Sequence, residues 1–250
     1  MKLKLIAAAS CLALSSIANA AINPGSDMDQ GGELIFSVWD SASSTSYTLD
    51  LGIDMREFDQ NATYAYDLST DANWMEFTTG AESMTWDVAG SDRASGMPSV
   101  NGIMMTARIG EDTSVMGLQH SGYNTLQSNI EQYIIKLDGL ENDVSLDNSY
   151  FRNGGDYAGS TSVWGSFAGN LSVATTAGQG DSMEFWSLTT GVIEGRRPSP
   201  TAEHTKLAGT WTLSGDSLIY TAAAPVPVPA AVWLFGSALA GLVGISRRRK

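Results

Sequence analysis

The stretch Glu33-Leu-Ile-Phe-Ser-Val-Trp-Asp40 decides the fold class. In an extended chain Leu34, Phe36 and Val38 point to one side, while Ile35 and Trp39 stand opposite. After a Ser/Thr-rich turn, residues 46–53 keep the period of two, with Tyr47, Leu49, Leu51 and Ile53 alternating with small or polar residues. The two runs read as an antiparallel hairpin.

Further strands are expected at 83–88, 102–109, 162–167, 170–175 and 182–189. A second hairpin is clearer still: 209–213 and 217–221 flank Ser214-Gly215-Asp216, a compact turn in which glycine supplies a positive φ. Against this background the spacing predicts one amphipathic helix over 128–138. Ser128-Asn-Ile-Glu131 reads as a capping box, Ile130, Tyr133, Ile134 and Leu137 follow the helical period, and Gly139 terminates it. A shorter helical piece at 71–77 would put Trp74 and Phe77 on one side. Short strands, 26 glycines and little helix predict a mainly β chain, specifically an antiparallel, jelly-roll-like β-sandwich with one covering helix. No internal repeat or long linker divides residues 21–223, so a single domain is expected there.

The two ends carry different information. Lys2 and Lys4 precede a short apolar run to Ile17, and Ala18-Asn19-Ala20 offers the small residues that signal peptidase accepts, so residues 1–20 read as a signal peptide cut after Ala20. An uncleaved anchor is disfavoured by the shortness of the run, and a lipid-modified Cys11 by the poor Ala8-Ala9-Ser10 context. Cys11 is the only cysteine, so the processed chain has neither disulfide nor thiolate metal site. Between signal and tail lie eight Lys and Arg against twenty-seven Asp and Glu, a balance of −19. That field repels nucleic acid and suits a soluble body outside the cell, or one that meets divalent cations.

The C-terminus reads Pro225-Val-Pro-Val-Pro-Ala-Ala-Val-Trp-Leu-Phe-Gly-Ser237 and ends in Arg247-Arg248-Arg249-Lys250. Residues 230–246 carry no charge; at about 1.5 Å per residue they cover roughly 25 Å, a marginal span of a bilayer core about 30 Å thick. Trp233 falls where an interfacial aromatic belongs, and the four cations keep that end cytoplasmic by the positive-inside rule. A transmembrane helix over 230–246 is therefore expected, with 247–250 as its basic tail and 224–229 as an extended, proline-fixed segment before it.

This order of motif, short apolar helix and basic tail resembles the PEP-CTERM sorting signals, in the VPxPA variant: Val226, Pro227, Val228, Pro229 and Ala230. Val228 stands where the family name has Glu. The resemblance implies a substrate of exosortase, a membrane protease-transpeptidase of Gram-negative bacteria that make exopolysaccharide. It implies transient anchoring in the inner membrane, cleavage near the prolines and transfer to the cell surface or matrix. Gly32-Glu-Leu-Ile-Phe-Ser-Val-Trp-Asp40, Tyr47-Thr-Leu-Asp-Leu-Gly52 and Gly209-Thr-Trp-Thr-Leu-Ser-Gly215 are also similar to exported members of that family with no assigned activity.

Catalytic signals are weak. His120 and His204 are far apart, and neither G-x-S-x-G nor H-E-x-x-H occurs. A glycosidase needs two carboxylates across a cleft, which twenty-seven acidic residues do not single out. Oxygen ligands for Ca²⁺ cluster at Asp27 and Asp29 and around Asp138, Asp143, Asp147 and Asp156, without the EF-hand order; loop polarity accounts for them as well. The expectation is a non-enzymatic surface or biofilm-matrix protein without catalytic residues or a required cofactor. The alternatives are an extracellular carbohydrate-binding module displaying Trp or Tyr and, third, a surface hydrolase. A row of exposed rings would mark the former, and a histidine beside a carboxylate in a cleft the latter.

Overall fold

The computed structural model describes residues 22–25, 31–93, 102–110, 120–138, 148–159, 177–193 and 197–223. Its strands are β1 (Glu33–Asp40), β2 (Thr45–Asp54), β3 (Tyr64–Asp67), β4 (Thr85–Asp92), β5 (Gly102–Arg108), β6 (Ser149–Asn153), β7 (Ala177–Gly178), β8 (Ser182–Ile193), β9 (Arg197–Ser214) and β10 (Ser217–Thr221). They join into one antiparallel sheet in the order β3-β10-β9-β8-β5-β4-β1-β2-β6, and β7 pairs with β4. The expected mainly β, antiparallel character is present. The expected strands at 162–167 and 170–175, like the segments 1–20 and 224–250, lie outside the described residues.

Two helices accompany the sheet: α1 (Ala72–Gly80), at the shorter helical piece read over 71–77, and α2 (His120–Asp138). α1 begins at Asp71, whose side chain accepts from the Asn73 and Trp74 N–H groups. α2 corrects the sequence reading at its start. Ser128 is no N-cap but an interior residue, eight positions into the helix. Tyr123, Leu126 and Gln127 are buried and continue the stripe of Ile130, Tyr133, Ile134 and Leu137 about two turns upstream. Burial of that longer stripe outweighs the local capping preference, worth only about 1 kcal/mol.

The sheet curls, so that its two faces have different roles. Tyr66 of β3, at one end of the strand order, donates its hydroxyl to the Leu51 carbonyl of β2, near the other end, at 2.8 Å. Inside the curl lie Leu34, Phe36, Val38, Tyr47, Trp86, Phe185, Trp211 and Tyr220, closed by Trp74 and Phe77 of α1. The α1 contact is locked at both sides of the curl: Trp74 Nε1 donates to Asp216 Oδ1 and the Tyr47 hydroxyl to Asp71 Oδ2, each at 2.8 Å. The outer face carries a second core, where Ile35, Trp39, Ala89, Ile103, Met105 and Leu188 meet the stripe of α2. The split of β1 into Leu34/Phe36/Val38 and Ile35/Trp39 is thus a split between two cores.

Both expected hairpins form. Val38 faces Tyr47 and Phe36 faces Leu49. In the other, Leu213 faces Leu218 and Gly215, at φ +57°, occupies the first central position of the turn, where a side chain would be strained. Gly32 answers a different demand: a Cβ there would lie 1.7 Å from the Ser91 carbonyl oxygen. That space is what lets the segment 22–25 lie against β1 and β4, through Glu33 N–H to Asn23 O at 3.0 Å and Arg93 N–H to Gly25 O at 2.7 Å.

Candidate functional site

The outer face is where chemistry concentrates. β1 lies between β2 and β4, and the register sets Ser37 opposite Thr48 on one side and Asp87 on the other. Period-two alternation turns all three away from the aromatic core and toward α2, which packs over β4. All three are buried, as is Tyr133 of α2. Thr48 Oγ1 lies 2.5 Å from the Tyr133 hydroxyl and 3.3 Å from Ser37 Oγ, so a chain of hydroxyls ties helix to sheet. Burial pushes the Tyr133 phenol up to about 12; Asp87 adds to this, whereas the Thr48 and Ser37 hydroxyls and Arg152 oppose it.

Asp87 is the outlier of this row. Its Oδ1 is buried without a hydrogen-bond partner among the described residues, and desolvation alone pushes its carboxyl up to about 8. At neutral pH the group is therefore a carboxylic acid and not a carboxylate. Four oxygen-bearing side chains closed off from water bind a proton in this conformation; they present no surface to a substrate.

A second polar node sits farther along α2. Gln127 Nε2 donates to the Asp92 carbonyl at 2.8 Å, and Arg56 grips the Asp92 carboxylate through Nε at 2.7 Å and Nη2 at 3.1 Å. The Tyr123 hydroxyl is buried without a partner, and burial, reinforced by the charge of Asp92, raises its pKa. Here each buried charge is paired, as burial requires. At the opposite end of β1, Asp40 organises the β1–β2 turn. Its Oδ1 accepts from Ala42 N–H at 2.8 Å and its Oδ2 from Glu82 N–H at 2.9 Å. Desolvation pushes the Asp40 carboxyl up, but these bonds, with those from Ser83 N–H and the Ser43 hydroxyl, outweigh it and hold the group below its ordinary range.

The residues singled out in the sequence are not brought together. Asp138 is the last residue of α2 and Asp156 closes a 3₁₀ turn at Gly154–Asp156; Asp143 and Asp147 lie outside the described residues. Among the described residues no group of three or more His, Cys, Asp or Glu is placed to hold a metal ion. His120 opens α2, whereas His204 is exposed on β9, its ring 5.9 Å from that of Trp186. Ala18, Ala20, the motif Val226, Pro227, Val228, Pro229 and Ala230, and the cations Arg247, Arg248, Arg249 and Lys250 all lie outside the described residues. No helix among the described residues is long and apolar enough to cross a membrane. The buried row was missed in the sequence; its signal was Asp87 between Trp86 and Val88, in a strand destined to pair with one that has apolar residues on both sides.

Comparison with known proteins adds no relative: no family model matches this chain, and neither the curated proteins nor the solved structures yield a match.

Proposed function

We propose that this chain is an exported surface or extracellular-matrix protein with a structural role. Its sandwich-like, jelly-roll-like body is delivered by the signal peptide, anchored in the inner membrane by residues 230–246 with the C-terminus cytoplasmic, and cleaved near Val226–Ala230 by an exosortase-like protease. The observation that carries this reading is the order of elements in residues 225–250: alternating prolines, an uncharged run of seventeen residues, then four cations. Attachment to exopolysaccharide at the cell surface or in a biofilm matrix follows from the same resemblance.

The body supports a structural role over a ligand-binding one. Trp74, Trp86 and Trp211 are fully buried, and Trp39 and Trp186 are 7% and 8% exposed. Their rings fill the two cores and leave no indole among the described residues for stacking on a sugar. The test is intact-mass spectrometry of the protein from hosts with and without the sorting protease. Loss of residues 1–20 in both hosts, and of the segment after the prolines only where the protease is present, is the expected result. A mature species that keeps Trp233 to Lys250 in both hosts overturns it.

A further inference from the structure

We propose that α2 is a releasable clamp on the outer face of the sheet, held by the proton on Asp87 and loosened when that proton is lost. The argument starts from where strain can be relieved. β4 is bonded to β1 over Thr85–Ala89 and, on its other edge, to β7 at Thr85–Trp86 and to β5 at Ala89–Asp92, so the strand that carries Asp87 is held on either side of that residue and cannot move without opening the sheet. α2 has no backbone pairing to the strands. Its polar attachments to the sheet face include Tyr133 to Thr48 and Gln127 to the Asp92 and Gly102 carbonyls, with Glu131 to Arg93 at the rim, where Arg93 is half-exposed. Water reaches Asp87 with the least disruption by lifting the helix.

The surroundings offer an ionised Asp87 little else. Ser37 flanks it on β1, and Glu184 of β8, opposite Ala107 of β5, has its charge paired with Lys206. Asp50 of β2 shares this face two residues from Thr48, and Arg152 of β6 acts on Tyr133. α2 contributes Tyr133, with Glu131 turned to Arg93 and Lys136 exposed. Among these residues no cation is paired with Asp87, and burial opposes its ionisation.

The linkage has a definite sign. The Asp87 carboxyl titrates near 3.8 when hydrated and near 8 when clamped. The clamp is therefore tightest below about pH 4, its opening equilibrium rises about tenfold per pH unit up to about pH 8, and it levels off above that.

Amide hydrogen exchange on the full exported chain tests this between pH 5 and 9, with rates corrected for intrinsic exchange. The expected result is that α2 amides lose about tenfold protection per unit up to pH 8 while β4 and β5 stay more protected, and that Asp87→Asn removes the slope. Protection in α2 that is flat with pH, or that falls in step with β4 at equal magnitude, overturns the proposal. Should the variant not fold, the ¹³C carboxyl resonance of Asp87 in the unaltered protein decides: titration above pH 7 supports the clamp, and titration near 4 overturns it.

Discussion

The two faces of one sheet are built from alternate residues of the same strands, and they solve burial in opposite ways. On the inner face Phe36, Trp86 and Tyr47 stand in contact, with ring centroids 6.1 Å apart for Phe36 and Trp86 and 6.3 Å for Phe36 and Tyr47. On the outer face the residues one step along, Ser37, Asp87 and Thr48, are just as inaccessible but polar. The inner face gains stability from apolar area, about 1.5–3 kcal/mol for each large side chain fully buried. The outer face spends part of that gain on a carboxyl that burial keeps neutral, its Oδ1 without a hydrogen-bond partner among the described residues. Both faces gain from apolar burial, and the outer one adds a buried carboxyl that makes part of the stability depend on pH.

The sharpest way to break this contrast is to empty the inner face. Phe36→Ala removes a ring with no exposed surface and is expected to cost about 3–5 kcal/mol by denaturant titration, with little dependence on pH. Asp87→Asn should act in the opposite direction. The carboxyl is raised in the fold, so its contribution is intact below about pH 4 and is lost as pH rises through about 8. The variant is expected to match the parent near pH 4 and to exceed it by about 5 kcal/mol at pH 8, read as a difference between two stability curves. Equal stability at both pH values would mean that the outer row is not a store of pH dependence.

Tyr133→Phe keeps the ring in the outer core and deletes the hydroxyl at Thr48. A loss of about 1 kcal/mol is expected, with its exchange signature confined to α2. Arg93→Ala removes the partner of Glu131 at the rim, where Arg93 is 53% exposed, and should change stability by no more than about 0.5 kcal/mol. A larger effect would place the hold on α2 at its rim and not in the buried row. Asp40 gives the reverse of Asp87. Its lowered carboxyl stabilises the β1–β2 turn above about pH 4 and loses that effect as pH falls through its folded value, so Asp40→Asn should lower the melting temperature at pH 6 and not at pH 2.

How far the sequence revealed this contrast differs from element to element. β1 announced two apolar sides, and both hairpins followed from alternation and from Gly215. β3 and β6 went unread because they are four and five residues long and become strands by pairing with β10 and β2, a choice made by neighbours distant in the chain. The start of α2 was misplaced since Ser128 and Glu131 fit a local rule that the longer buried stripe overrides. Asp87 was legible only as a polar residue in a strand. Its burial depends on a helix more than thirty residues downstream settling on that side of the sheet, which the alternation of β4 does not encode.

The longest ribbon, β8 with β9, is interrupted where its register slips between Glu184 and Trp186. Around that slip the N–H groups of Ala208 and Gly209 donate to Gln60 Oε1 and to the Tyr220 hydroxyl, at 3.1 and 3.0 Å. Side chains thus occupy donors that an incoming strand from another molecule would need, and the strands left at the borders of the sheet, β3 and β6, are short templates.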